Sequence, residues 1–255
     1  NVRIATALAS FGESGLADQV LRHEAKIGSD EERGDLLALA HQLSLPSTQL
    51  YLAHYGRSGS SANPFDRYPA PKWAPKEGWR VDPWLVFAHT LQESRFQADA
   101  VSPADARGLM QVRPGTAADM ARARGSYFSA ADLKRPEVNL EYGQSYLEQL
   151  RDMDQTEGLL PKVIAAFNAG PSPVGRWKYD VRDQGDPLLF IESIPYWETR
   201  AYVGIILRNY WMYQTMAGEE SKSLEGLSQN AWPRFPGMSG PAWVRKNDSR
   251  AMAQR

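Results

Sequence analysis

Apolar residues return every three or four positions through most of this chain and almost nowhere at every second position. Helical faces account for that pattern, whereas strands would need alternation. From Asn1 to Tyr55 the stretches VRIATALASFG, ESGLADQVLRHEAKIG, SDEERGDLLALAHQLSL and PSTQLYLAHYG read as short amphipathic helices. Leu16, Val20 and Leu21 recur at helical spacing, as do Leu36, Leu37, Ala40 and Leu43, and Gly12, Gly28 and Gly56 stand where helices end on a C′ glycine. The expectation is a stack of helical hairpins serving as scaffold.

The segment GRSGSSANPFDRYPAPKWAPKEGWRVDP is crowded with Gly, Ser and Pro, which resist both helix and strand. It is the expected domain boundary, with Phe65, Tyr68 and Trp73 packing on something. A second unit then opens with DPWLVFAHTLQESRF. Asp82 is placed to cap this helix and Pro83 suits its first turn, while Trp84, Phe87, Ala88 and Leu91 form the predicted buried stripe. Later helices are predicted at PEVNLEYGQSYLEQLRDM, LLPKVIAAFNAG and PYWETRAYVGIILRNYWMYQTMAG, the last two stopped by Gly170 and Gly218. From Glu219 the text turns polar and is broken by Pro233, Pro236 and Pro241, which predicts extended or poorly ordered chain with a few aromatic anchors. At most a short β-hairpin fits between Ala98 and Gln111. The class is mainly α, divided into helical hairpins over residues 1–60, a larger unit over 61–218 and a C-terminal extension over 219–255.

Composition narrows the function classes. The 255 residues are 42% hydrophobic, enough for a substantial core, and 29 Lys and Arg balance 30 Asp and Glu. A net charge of −1 gives no electrostatic case for nucleic acid, although a local basic groove stays open. There is no cysteine, so disulfides, thiolate metal sites and cysteine nucleophiles are excluded. That absence is compatible with an oxidising compartment. No run reaches the roughly 20 apolar residues of a membrane-spanning helix. The chain starts at Asn1 with no signal peptide, which reads as a processed or excised piece whose targeting segment, if any, lay upstream. His23, His41, His54 and His89 do not cluster at metal-ligand spacing, so no metal site is expected. GPSPVG lacks the Lys-Ser/Thr pair of a phosphate loop and follows a helix, so it reads as a helix stop and turn.

Glu93 carries the chemistry. Counting back along the helix, Val86 and His89 share its face, and it lies near the helix C-terminus. The macrodipole opposes negative charge there and nearby apolar groups penalise ionisation, so both effects favour the protonated acid. A carboxylic acid that keeps its proton near neutral pH is what protonation of a poor leaving group such as a glycosidic oxygen requires. His89 is read as a packed or hydrogen-bonded helix residue outside the catalytic set. Among the rings near the chain's end, Tyr202 and Tyr196 are expected at a sugar cleft, whereas Tyr210, Trp211 and Trp177 are expected in packing.

In order between about Pro83 and Tyr213, the blocks QESRF, SPADARGLMQVRPGTA, AAFNAGPSPVGRW and ESIPYWETRAYV resemble the motif set of the soluble lytic transglycosylases of Gram-negative bacteria. The resemblance implies a goose-lysozyme-like catalytic domain, with the preceding hairpins resembling the last turns of that family's α-superhelix and linker. It gives Glu93 the role of single catalytic acid. It gives Ser102, Gln111 and Asn168 places at the sugar cleft, and sets Glu198 and Tyr202 at its border, with Glu192 a weaker candidate at the head of the same block. Three positions depart from the family. Phe167 stands where tyrosine is usual, which leaves ring packing alone. Arg113 stands where methionine is common and presents a charged fork able to grip a carboxylate or peptide stem. Asp105 replaces a common glycine and adds an acid near the site.

The resemblance further implies cleavage of the β-1,4 bond between N-acetylmuramic acid and N-acetylglucosamine in peptidoglycan glycan strands. The 2-acetamido oxygen of the sugar replaces a second carboxylate, and 1,6-anhydro ends result, with Ser102 and Tyr202 orienting Glu93 or the acetamide. No metal or organic cofactor is required, and the implied location is the periplasm. Two other readings stay open on the sequence: a goose-type lysozyme using water, with Asp105 or Glu198 as base, and a non-catalytic glycan-binding scaffold. Oligomeric state is not legible.

Overall fold

The computed structural model describes residues 1–29, 31–55 and 63–246. Twelve α-helices occur among them: α1 (Val2–Ser10), α2 (Ser14–Ile27), α3 (Arg33–Gln42), α4 (Pro46–His54), α5 (Pro83–Ser94), α6 (Pro114–Ala123), α7 (Pro136–Arg151), α8 (Leu160–Ala169), α9 (Pro171–Asp180), α10 (Pro187–Glu192), α11 (Trp197–Ala217) and α12 (Lys222–Ser228). The only paired strands described are β1 (Trp232–Pro233) and β2 (Trp243–Val244), antiparallel with Trp232 opposite Val244. The chain is mainly α, as its periodicity predicts. The boundary expected near residue 60 and the helix stop at Gly56 lie outside the described residues.

Two compact units are formed, Asn1–Gly78 with Thr90–Glu141, and Trp79–His89 with Tyr142–Arg255. In the first, α1 to α4 bury Ala5, Ala17, Leu21, Ala25, Leu36, Ala40, Leu45 and Leu52. Four of these are alanines, and the small side chains let the helices approach closely. Leu16, predicted for the buried face, is 49% exposed, and the adjacent Ala17 is buried instead. Gly28 ends α2 in extended backbone (φ −71°) rather than in the left-handed form. Asp18 ties α2 to α4: its carboxylate accepts from Thr48 N at 2.8 Å and pairs with Arg22, and its carbonyl accepts from Thr48 Oγ1 at 3.0 Å. Burial pushes the Asp18 carboxyl up, with Arg22 and Thr48 opposing. An unpaired buried carboxylate would neutralise itself; this one has partners.

In the second unit α8 is buried from Leu160 to Ala166, and α11 buries Tyr202, Val203, Ile206, Leu207, Tyr210 and Tyr213 along one face. Asp82 caps α5 as predicted, its Oδ1 accepting from Trp84 N at 2.9 Å, while Tyr210 Oη donates to Oδ2 at 2.6 Å. The C-terminal segment differs from expectation. It folds into α12 and the β1–β2 pair, with Trp232 fully buried and Phe235 2% exposed. Trp232 Nε1 donates to Gly185 O at 2.7 Å and Phe235 N to Gly158 O at 2.8 Å. Pro233 sits in a two-stranded ribbon where a missing N–H is tolerated. Burying a ring the size of Phe235 stabilises by about 3 kcal/mol, which outweighs the polarity of the text around it.

GPSPVG also behaves differently. Gly170 stops α8, and Pro171 then begins α9, because a proline in the first turn forfeits no hydrogen bond.

Candidate active site

Helix α5 is not amphipathic. Every residue from Leu85 to Thr90 is buried, so Val86 and His89, on the face shared with Glu93, are as enclosed as Phe87 and Ala88. Leu91, predicted for the buried stripe, is only half-buried, because the helix emerges there. Glu93 follows on that emerging turn and is half-buried, one residue from the helix end.

The chain leaves α5 through two consecutive left-handed residues, Arg95 (φ 52°) and Phe96 (φ 62°). A bulky side chain in that region is rare and strained, so the surroundings must hold it. Phe96 is 2% exposed with its ring 6.3 Å from that of Trp73. Ser47 Oγ, from α4, lies 3.3 Å from Arg95 O and 3.2 Å from Phe96 O, and Ser94 Oγ donates to Leu109 O at 2.8 Å. The hairpin helices thus supply a hydrogen bond to the turn that follows the acid. Sequence reasoning gave Ser47 no role, since a serine at a helix start reads as an ordinary polar residue.

The loop after α5 carries Ser102, Asp105 and Gln111. In place of a regular hairpin it has isolated bridges, Val101 with Arg107 and Arg107 with Val112. Ser102 closes a tight turn: its N–H donates to Ala106 O at 2.9 Å and its Oγ accepts from Ala106 N at 3.0 Å. Asp105 occupies the left-handed region at φ 59°, which explains why glycine suits this position, and Asp is among the few other residues that tolerate it. Its carboxylate accepts from Arg107 Nε at 2.8 Å. Gln111 turns inward, Nε2 donating to Gly108 O at 2.9 Å. Arg113 is exposed immediately before α6.

Asn139 on α7 holds this loop from beneath. Its Oδ1 accepts from Met110 N at 2.8 Å, and its Nδ2 donates to Arg107 O and Leu133 O, each at 2.8 Å. Gly108 (φ 71°) packs against the same amide so closely that an added Cβ would fall 2.2 Å from Leu133 O and 2.3 Å from Asn139 Nδ2. Asn139 went unnoticed in the sequence because a single Asn on a helix gives no sign of what it bonds.

The second unit holds the other predicted residues. Asn168, at the end of α8, accepts through Oδ1 from Thr199 Oγ1 at 2.6 Å, a pairing the sequence did not suggest. Phe167 packs on His89 at 4.5 Å between ring centroids and on Tyr146 at 5.5 Å. Tyr202 is 5% exposed and its hydroxyl lies 2.9 Å from His89 Nδ1. Glu198 is exposed in the first turn of α11, and Glu192 is exposed at the end of α10. Tyr196 is 46% exposed, whereas Tyr210 and Trp177 are buried in packing. Trp211 is half-buried, with Nε1 donating to Ser223 Oγ at 2.9 Å. In the first unit, a cleft of about 780 Å³ runs beside α2 and residues 72–74, 96–99 and 134–137. Its lining does not include Glu93, Ser102, Gln111 or Arg113.

Residues 73–190 match the family described as Transglycosylase SLT domain. The chain is 33% identical over 172 residues to the soluble lytic murein transglycosylase of Escherichia coli K12, which spans 67% of this chain and 25% of that protein. The crystal structure of the 70 kDa soluble lytic transglycosylase from Escherichia coli superposes with a TM-score of 0.72 at 26% identity, over 91% of this chain and 37% of that one.

Residues 73–190 form a transglycosylase SLT domain. A second solved member, an inactive Glu-to-Gln mutant of lytic transglycosylase Slt from Pseudomonas aeruginosa, matches with a TM-score of 0.63 at 28% identity, over 85% of this chain and 35% of that one. The lysozyme-like fold is shared with these SLT relatives. The chain spans about a quarter of the length of the curated relative and little more than a third of the solved ones.

Proposed function

We propose that this chain is a peptidoglycan lytic transglycosylase in which Glu93 is the single general acid and base. The observation that carries the reading is the place of Glu93: half-buried, one residue from the C-terminal end of a helix in which every residue from Leu85 to Thr90 is buried. The peptide carbonyls at that end disfavour negative charge, which suits a group whose task is to give up a proton. The relatives' names supply the substrate class, murein, and the Pseudomonas aeruginosa relative is inactive as a Glu-to-Gln mutant, which fits a glutamate at the centre of the reaction.

Glu93 donates its proton to the bridging oxygen between N-acetylmuramic acid and N-acetylglucosamine as the bond from C1 breaks. The 2-acetamido oxygen supports the developing positive charge at C1, so no second carboxylate is needed. The C6 hydroxyl of the same sugar then closes onto C1, and its proton returns to Glu93. Atoms balance without water, and the product carries a 1,6-anhydro end. The carboxylate left on Glu93 faces the cation-like charge at C1, an attraction that is strongest in the transition state.

In the first unit Ser102, Gln111 and Arg113 are proposed as glycan-contacting residues; in the second unit Asn168, Thr199 and Tyr202 are proposed as such, with Phe167 and Glu198 at their margin. Asp105, a candidate base for a hydrolytic variant, has its carboxylate engaged by Arg107, which argues against that role. A cell-wall substrate fits a periplasmic location. No helix among the described residues is long and apolar enough to cross a membrane.

The test is Glu93→Gln in the full chain. Clearing of purified peptidoglycan should fall by roughly a hundred-fold or more, the scale of general acid–base catalysis, with the fold retained. Equal clearing by wild type and variant would remove Glu93 from the mechanism.

A further inference from the structure

His89 is fully buried one turn before Glu93, and the mechanism above does not use it. Its Nδ1 lies 2.9 Å from the hydroxyl of Tyr202, its ring rests on Phe167, and its Nε2 is buried without a hydrogen-bond partner. Leucine or phenylalanine would fill this space with no orphaned polar atom. Leaving a polar atom unsatisfied inside a protein is costly, so an imidazole held here calls for an explanation beyond packing.

We propose that His89 is the positioning residue for Tyr202: Nδ1–H donates to the phenol oxygen and turns the phenol's own proton away from the imidazole. The proposal rests on the transglycosylase reading, in which Tyr202 borders the substrate. Burial keeps the ring neutral, its proton leaving at about 3 rather than 6.5, so the imidazole carries one N–H across the working pH range. Two tautomers are available. With the proton on Nε2, a buried N–H would have no acceptor, which folded proteins tolerate less readily than a bare acceptor. With the proton on Nδ1, the Tyr202 oxygen accepts, and its hydroxyl donates in another direction.

The consequence for Tyr202 is directional. A phenol hydrogen lies near the ring plane on one of two sides, and a donor on one side drives it to the other. Phe167 supports this arrangement because its ring packs against His89 and has no hydroxyl to compete for the imidazole. The departure from tyrosine at position 167 thus coincides with a histidine whose Nδ1 is paired with Tyr202.

Turnover of isolated peptidoglycan strands by wild type, His89→Leu, His89→Gln, Tyr202→Phe and the His89→Leu/Tyr202→Phe pair tests the proposal. His89→Leu should lower kcat about ten-fold and change KM less than about two-fold, because geometry is lost more than binding. His89→Gln, whose amide N–H can donate, should recover most of the loss. The double variant should be no slower than Tyr202→Phe alone. If His89→Leu slows the Tyr202→Phe background by the same ten-fold, His89 does not act through Tyr202 and the proposal fails.

Nitrogen-15 spectra of wild type, which need no activity and no variant fold, should show His89 protonated at Nδ1, with that signal shifting in Tyr202→Phe. Protonation at Nε2 would overturn the proposal. Failure of the function reading is separately visible, because Glu93→Gln would then match wild type while the spectra still report the His89–Tyr202 bond.

Discussion

Asn139 satisfies three backbone groups with one amide, and the loop bearing Ser102 and Gln111 is bent around it. Asn139→Leu keeps the volume but leaves Met110 N–H, Arg107 O and Leu133 O without that partner. At about 1–3 kcal/mol for each buried group left unpaired, the loss should be on the order of 4 kcal/mol, read as a lower urea midpoint and reduced turnover in whatever remains folded. An unchanged midpoint would show that the loop has other support. At this scale the sequence marked Glu93 as a candidate, because motif and helix position agree on it. It also marked Asp105 as a substitution for glycine, and the φ of 59° supplies the reason. Asn139, Ser47 and Thr199 were invisible for one shared reason: each is an ordinary polar residue whose partner lies far away in the chain.

Among elements, α5 departs most from its sequence pattern. A four-residue stripe was predicted, but six consecutive residues are buried, because periodicity identifies the most apolar face and cannot show that the other faces are covered too. Its cap was legible, since Asp before Pro is a strong start signal, yet the partner Tyr210 was not. Burial pushes the Asp82 carboxyl up, with the bonds from Tyr210 and Trp84 opposing. A carboxyl raised in this way binds more protons folded than unfolded. Stability contributed by Asp82 therefore falls as pH rises from its unfolded value near 3.8 through its folded value, and stays lower above. Asp82→Asn keeps a good cap and removes this fall, so thermal melts between pH 4 and 7 should show a flatter profile for the variant. A steeper profile would contradict the assignment. Helices α6, α9, α10 and α12 were not predicted; proline opens α6, α9 and α10, and α12 is short, so breaker residues masked helix starts.

For the molecule as a whole, a polar, proline-broken ending was expected to be extended or poorly ordered with a few aromatic anchors; the anchors are there, and its described part is also folded and tied by ionic contacts. Lys246 pairs with Glu157 at 3.0 Å and lies 5.0 Å from the centre of the Trp232 ring, and Glu157 also meets the buried Lys162. Burial alone would raise the Glu157 carboxyl, but Lys162 and Lys246 outweigh it and hold it at about 2. With the folded value depressed, the stabilisation is present above the unfolded value near 4.5 and is lost as pH falls through about 2. Glu157→Gln strands Lys162 without its counter-charge and should cost on the order of 2 kcal/mol at pH 7, solvent screening of the half-exposed carboxylate moderating the loss. Calorimetry of both proteins from pH 7 to pH 2 checks it: the difference should be largest at neutral pH and vanish in acid, and a constant difference would contradict the assignment.

The central claim is that one protonated glutamate, with the sugar's own acetamide and C6 hydroxyl, replaces both a second carboxylate and water. Mass analysis of the glycan ends released from purified peptidoglycan tests it most directly. Ends lighter than hydrolysed muramic acid by one water, formed by wild type and absent with Glu93→Gln, are the predicted result. Hydrated reducing ends as the main product would contradict it.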